Sequence, residues 1–468
     1  MSVELKIYTG TLIYKEIEFS FVFNGEELRL IPSEDKSHEV HMWFMKELAK
    51  GMYTIGDPVY IDEEYLVGIC NENNQKIIFL PKCSNVGNYN SVLLVSIEAY
   101  MIQKYEKEWI DRLGFMSQEL DCIYSTNQAL QSSEWTEDGA ISIKTKDFDN
   151  TTSQTQNFCV DGKNVSVYFG ISRTSSGKIG NPPLELHSEM FFEFEKTKDY
   201  AFILRLWRIA KCFIRYLCYR KNINLPIIEV SAPYSGGKHE KFATLYIVNE
   251  DIDNDLEILE KRRYIKQEYI SGVEGKILSD ISADMIYIRH IPESYRSGRT
   301  IDAARFVMIT AAFEWTFNKN YPSGVPKKPD SIKAENDATT TLTELINKSK
   351  GKLKEIYKFL IKLVGSNSLQ SKIEQMGKDY DDIVGVFGKR LYSMNDEVLK
   401  YNEMGLRISK QRNNFAHGNL DKDFIGLSLL DLIYLEYVIY VMQLKEYGVE
   451  SISIQRAIND LFGCSLAI

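Results

Sequence analysis

Partway along this chain the spacing of apolar residues changes from a strand period of two to a helical period near 3.6, which limits the fold to a β-rich part followed by a helical part. In the first 180 residues, "LKIYTGTLIY", "EIEFSFVF", "DPVYIDEEYLVGIC" and "KIIFLPK" alternate β-branched or aromatic residues with polar ones. That is the pattern of strands with one face buried. "FNGEE" places an Asn-Gly pair between two of them, a favoured chemistry for a tight hairpin. Residues 1–180 are therefore expected to be strands and turns of an antiparallel sandwich or barrel-like module. "GAISIKTKDF" and "VSVYFGISRT" extend it, with a loop over the Ser/Thr/Asn-rich stretch at 150–157.

A helical segment at 198–221 interrupts the strands, which return in "LPIIEVSAPYS" and "FATLYIV". From "NEDIDNDLEILEKRRYIKQEY" onward the helical period dominates, and the charged stretch near 250–262 is the expected boundary. The organisation is a β-rich module with bracing helices over 1–250, a helical connector over 251–299 and a helical bundle over 300–468. Within the last part, "TIDAARFVMITAAFEWTF" is an apolar helix and the prolines and polar residues of 318–340 read as loop. Helical patterns follow at 341–364, 368–392, around "NDEVLKYNEMGLRISKQRNNFAHG" and at 424–446. Several helices with short connections pack naturally as an antiparallel bundle. The fold class is α+β, with an all-α second part.

At 468 residues the chain is too long for a single core, and its 44% hydrophobic content excludes disorder over most of its length. The formal charge of −9 argues against an overall basic coat. Residues 301–468 nevertheless hold 22 Lys plus Arg against 21 Asp plus Glu, so the acidity lies before them. Lys348, Lys350, Lys352, Lys354, Lys358 and Lys362 surround the single carboxylate Glu355, a local basic strip that reads first as a solvated helix face. Seven cysteines without CxxC spacing indicate neither a zinc site nor a disulfide framework. His38 and His41 lack a third ligand, so no metal and no cofactor are expected. "MSVELKIYTG" has no signal-peptide pattern, and the expected setting is the reducing cytoplasm. The segments around 199–221 and 424–444 are apolar, but Arg205, Arg208, Lys211 and Arg215 interrupt one and Asp431 and Glu436 the other, so buried helices rather than membrane spans are expected.

One short stretch concentrates chemistry: "QRNNFAHGNLD", residues 411–421, with one of only six histidines. Met404, Ile408 and Phe415 fall on one helical stripe facing a bundle. Asn413 and His417, four apart, share a face, so Asn413 can orient the imidazole, whereas Arg412 and His417 diverge by about 140°. Gly418 suits a helix C-terminus and Asp421 a following cap. His417 then sits among terminal carbonyls that favour imidazolium while a guanidinium nearby opposes it, balanced influences that suit acid/base work. Helix capping alone also explains "NFAHGN". Glu314, on an otherwise apolar helix, must lie at an opening or in an ion pair, with Arg305 or another base as its structural partner.

The Arg-Asn-x-x-x-His spacing at a helix end resembles the motif of the HEPN superfamily of ribonucleases. The order of a β-rich module, a charged connector, "RFVMITAAFEWTFNKNYP" and a late "RNNFAHG" before a long apolar helix is similar to the Apea-like HEPN proteins of bacterial anti-phage defence. The layout resemblance covers most of the chain, the pattern only residues 260–450. It implies a metal-independent endoribonuclease acting on transfer RNA or other host RNA, working as a homodimer through the carboxy-terminal bundle. It also implies a phage-derived trigger read by the amino-terminal module. The motif positions map onto Arg412, Asn413 and His417, with Glu314 at the supporting acidic position, which implies a contact of Glu314 with Arg412 or Asn413 instead of Arg305. His417 would move protons at the 2′-hydroxyl or the leaving oxygen, and Arg412 would stabilise the phosphorane. Lys348, Lys350, Lys352, Lys354 and Lys358 could track RNA phosphates.

A different class of protein fits the same residues: a non-catalytic helical scaffold or nucleotide- or protein-binding module, with Arg412 and His417 as packing and capping residues. A third makes the β-rich module a carbohydrate- or peptide-binding unit. "YSGGKHEK" at 234–241 and "RTSSGKIGNPP" at 173–183 suggest phosphate loops but lack the P-loop spacing, so a hairpin turn and a loop are expected. Asp431 and Glu436 are expected to bond tyrosines such as Tyr434 and Tyr440.

Overall fold

The alternating pattern of the first part folds as it should. A computed structural model describes residues 7–49, 63–89, 91–139, 141–180, 182–250, 262–416, 424 and 426–468. They form two compact units, Met1–Met285 and Ile286–Ile468. The first is β-rich and the second helical, an α+β chain.

Strands β1 (Tyr8–Tyr14), β2 (Ile17–Phe23), β3 (Glu27–Pro32), β4 (Leu66–Cys70), β5 (Lys76–Tyr89) and β6 (Val92–Gln103) close into an antiparallel barrel in the order β6-β3-β2-β1-β4-β5, because β5 pairs back onto β6. Every second residue of β2 turns inward, so Phe19, Phe21 and Phe23 meet Leu12, Leu28, Leu30, Phe79 and Val95 in the core. The "FNGEE" turn joins β2 to β3: Gly25 takes φ of 101°, and the Asn24 side chain accepts from the N–H groups of Glu26 and Glu27 at 3.0 and 2.8 Å. Phe21 seats its ring over Gly10 and Gly68, and a Cβ on Gly10 would collide with the backbone carbonyl of Ile69 and then with that ring at 2.6 Å. Gly10→Ala is therefore expected to cost about 1–3 kcal/mol by overpacking, read as a lower denaturant midpoint.

β6 links the barrel to a second group of strands. Its first half pairs with β3 and its second half with β14 (His239–Ile247). The sheet continues through β13 (Ile227–Pro233), β7 (Ile110–Met116), β12 (Leu184–Thr197), β11 (Lys163–Ser175) and β10 (Gln156–Val160), while β8 (Leu130–Trp135) and β9 (Ile141–Thr145) form a separate hairpin. The 173–183 segment ends β11 and turns into β12, and the 234–241 segment makes the turn after β13 and the first three residues of β14.

Residues 1–180 are not strands alone: α1 (Glu34–Ala49) and α2 (Gln118–Ile123) lie among them. The expected helix at 198–221 is α3 (Tyr200–Cys218), capped by Asp199, which accepts from Phe202 N–H at 2.9 Å. Among the described residues three of its four cations are ion-paired, Arg205 with Asp161 at 3.2 Å, Arg208 with Glu98 and Lys211 with Glu250. Helix α4 (Glu274–Ser282) packs on β10, with Gly275 against the Asn157 backbone. The first unit thus keeps residues 262–285 of the expected connector, while Ile286–Arg299 belong to the second. The boundary stretch 251–261 lies outside the described residues.

The second unit holds α5 (Ala303–Asn320), α6 (Pro329–Lys348), α7 (Gly351–Leu363), α8 (Leu369–Ser393), α9 (Tyr401–Ala416), α10 (Ser428–Glu446) and α11 (Ser451–Phe462). Helices α5, α8, α9, α10 and α11 pack on one another, with α10 buried nearly all round. Among the described residues no helix is long and apolar enough to cross a membrane. The expected loop at 318–340 is corrected in its second half, because α6 starts at Pro329, a residue preorganised for a first helical turn. Its polar threonines look like loop chemistry, yet Thr340, Thr341 and Thr343 bond back to carbonyls four residues earlier. The expected helix over 341–364 is broken at Ser349 and Lys350, where α6 ends and α7 begins.

Candidate active site

Helix α9 carries the Arg-Asn motif, and three polar ties fix it in the bundle. At its start the Tyr401 hydroxyl reaches Asp381 of α8 at 2.7 Å and the Tyr434 hydroxyl of α10 at 3.0 Å. One and a half turns on, Arg407 donates twice to Asp431 of α10, both at 2.7 Å. Near its end Arg412 pairs with Glu314 of α5 at 2.8 Å. Between these ties Met404, Ile408 and Phe415 are buried, as the helical stripe requires. Gly405 lets the helix lie close to the Gln370 backbone.

The expected contact of Glu314 is present, and a third residue joins it. One Glu314 oxygen takes Arg412 at 2.8 Å and the other takes Lys372 of α8 at 3.1 Å. The Lys372 side chain is 10% exposed, Glu314 21% and Arg412 35%. Two cations on one carboxylate leave the cluster net positive, and its most accessible member is the planar, multiply donating guanidinium. Such a cluster attracts a phosphate group and can grip it in two places. Asn413 is exposed on the neighbouring face and makes no contact with Glu314 among the described residues. His417, with Gly418 and Asp421, lies outside the described residues.

Arg305, the alternative partner of Glu314, is engaged elsewhere: it donates to Gly298 O at 2.6 Å and to buried Glu436 at 2.8 Å. The two α10 carboxylates also take arginines from other helices, and the tyrosine that bonds Asp431 is Tyr392. Glu436 takes Arg305, while Asp431 takes Arg407 and the Tyr392 hydroxyl. Burial, and then the Asp431 charge, push the Tyr392 hydroxyl well above the usual phenol range.

The basic strip occupies the end of α6 and the length of α7. Lys348, Lys350, Lys352, Lys354 and Lys358 are all exposed or half-buried there. Lys348 pairs with Glu344 at 3.4 Å and Lys358 with Glu355 at 2.9 Å. Among the described residues no hydrogen bond or ion pair links this strip to Arg412.

The residue that sequence reasoning missed is Lys372. Its signal was present, since Leu369, Lys372, Ile373 and Met376 follow the apolar stripe of α8, and a lysine there has to find a carboxylate.

In the first unit, an open pocket of about 490 Å³ is lined by Met116, Asp121, Glu185, His187, Pro226 and Ile227, among others. Burial raises the Asp121 carboxyl above its usual range, opposed by the Ser188 N–H that donates to it at 2.6 Å. Beyond "YSGGK", His239 bridges Asp111 and Glu193 at 3.0 Å each. Among the described residues no group of three His, Cys, Asp or Glu could hold a metal ion. No known protein family matches the chain, and no curated protein is similar enough to count as a relative.

Proposed function

We propose that the second unit is a metal-independent endoribonuclease of the HEPN kind. The observation that supports this most is the cluster in which Glu314 and Lys372 hold Arg412, the motif arginine, at a partly open edge of the bundle. In this reading Arg412 binds the scissile phosphate and stabilises the charge of the pentacoordinate state, releasing Glu314 to Lys372 as it does so. His417 takes the proton of the 2′-hydroxyl or gives one to the leaving 5′-oxygen. Attack of the 2′-oxygen on phosphorus breaks the bond to the 5′-oxygen and leaves a 2′,3′-cyclic phosphate. Helical spacing would make Arg412 and His417 diverge, so two copies of the bundle would each contribute one of the pair to a shared cleft.

The setting that follows from the resemblance is cytoplasmic, phage-triggered growth arrest by cleavage of transfer RNA or other host RNA. The β-rich unit is then the sensor, its pocket at Asp121 and His187 the place to look for a trigger. The lysines of α6 and α7 would track RNA phosphates.

The direct test incubates the chain with RNA in the presence of a chelator and examines the new ends. Cleavage leaving 2′,3′-cyclic phosphates and free 5′-hydroxyls, undiminished by the chelator, is the expected result. Intact RNA, with and without candidate triggers, favours the scaffold reading, in which the ion pair of Arg412 merely secures α9 to α5.

A further inference from the structure

Helices α6 and α7 form a hairpin whose described residues all keep partial exposure. Their mutual packing half-buries Leu342, Leu345 and Ile346 of α6 and Tyr357 and Ile361 of α7. Helix α7 has a second apolar face that this contact does not cover. Leu353, Ile356, Leu360 and Leu363 are 50, 49, 40 and 51% exposed, with Phe359 beside them at 62%. At about 100° per residue these five fall within an arc of roughly 120°. A stripe of this size on a helix of only thirteen residues calls for a partner.

We propose that this stripe is a self-association surface, on which α7 of a second copy lies antiparallel about a twofold axis. Three observations select that occupant. The spacing of Leu353, Ile356, Leu360 and Leu363 is three, four, three. It reads the same from either end, so Leu353 meets Leu363 and Ile356 meets Leu360 of the other copy, as an isologous contact demands. The charges agree with it. Glu355 and Lys362 share one margin of the stripe, and the same reversal sets each Glu355 beside the other copy's Lys362. A parallel pairing would turn the margin that carries Glu355 and Lys362 away from the same margin of the other copy and set Lys352 near Lys352, whereas the antiparallel one separates the two Lys352 side chains by about 18 Å along the axis. Finally, α6 offers no comparable face: among its described residues Ile332 is the exposed large apolar side chain.

An anionic lipid surface is the competing occupant, since a lysine-bearing amphipathic helix can lie in a headgroup layer. The geometry speaks against it. Lys352 falls within the arc, but Lys354 and Lys358 point about 160° away from its centre, and the adjoining α6 carries Asp330, Glu335, Asp337 and Glu344. The same geometry leaves Lys354 and Lys358 outward when two copies pair. The proposal stands independently of the ribonuclease reading, because Arg412 takes no part in it. Five half-exposed side chains per copy make a small interface, so a dissociation constant on the order of micromolar is expected.

The test is the mass of the full chain by sedimentation equilibrium from about 1 to 100 μM, bracketing that affinity. The wild type is expected to gain mass with concentration. The exposed pair Ile356→Glu with Leu360→Glu is expected to halve the high-concentration mass, from two chains to one or from four to two, with an unchanged circular dichroism spectrum. Glu355→Lys and Lys362→Glu are each expected to weaken association several-fold, and the two together to restore it. A wild type that stays at the mass of one chain overturns the proposal. So does a mass that survives the stripe substitutions, or a charge exchange that fails to restore association. Binding to vesicles of anionic phospholipid that is lost with the stripe, in a chain that remains single, overturns it in favour of the lipid surface.

Discussion

Arg412→Ala is expected to lower RNA cleavage by roughly 10²–10³-fold, the loss typical of removing one preorganised donor from a developing oxyanion. The loss should fall on kcat more than on KM, because a guanidinium that holds the scissile phosphate is attracted more strongly by the extra negative charge of the pentacoordinate state than by the ground state. Arg412→Lys is expected to stay defective, since an ammonium cannot present two parallel N–H groups to a phosphate. His417→Ala is expected to cost roughly 10²–10⁴-fold, the usual worth of a positioned acid or base. Glu314→Gln probes the same cluster from the other side: it frees Arg412 but leaves Lys372, 10% exposed, without its counter-charge, so stability should fall together with activity. Lys410→Ala, an exposed position two residues before Arg412, is the control expected to cleave at the wild-type rate. Steady-state cleavage of a defined RNA by these variants decides the matter, and wild-type rates from both Arg412→Ala and His417→Ala remove the enzyme reading.

Much of this architecture was legible because periodicity reports burial. The inward phenylalanines of β2 and the stripe of Met404, Ile408 and Phe415 were read correctly from spacing alone. That Glu314 needs a partner followed from a carboxylate on an apolar helix, but the choice of Arg412 or Asn413 over Arg305 came from the resemblance, and the contact is Arg412. The closure of six strands into a barrel was not legible in detail, since it depends on β5 returning to β6, a pairing that no local pattern announces. Helix α6 was hidden for the opposite reason. Its residues bury little, so composition dominated the reading, and its proline was taken for a breaker when it stands in the first turn. The arginine partners of Asp431 and Glu436 were not legible, because Arg407 and Arg305 come from other helices and no local pattern joins them.

The same arginine, Arg407, anchors the second large effect. Asp431 is fully buried and accepts from both Arg407 nitrogens at 2.7 Å and from the Tyr392 hydroxyl. Arg407→Met would leave that carboxylate buried with one phenol as its partner, a loss of about 3–5 kcal/mol. Asp431→Asn is expected to cost less, since an amide keeps part of the hydrogen bonding and needs no counter-charge. Combining Arg407→Met, Asp431→Leu and Tyr392→Phe removes the buried polar members at once, leaving the half-exposed Glu403 that also pairs with Arg407 to solvent, and is expected to recover most of the loss, as apolar replacement of buried ion pairs often does. Urea unfolding followed by circular dichroism, which weights the helical unit, measures all three. If Arg407→Met unfolds at the wild-type midpoint, the pair contributes nothing to stability. The consequence reaches the candidate site, because Arg407 and Arg412 stand five residues apart on one helix. A helix secured at Asp431 presents Arg412 to Glu314 in one register, and a variant that loosens the first contact while remaining folded should lose cleavage without losing RNA binding.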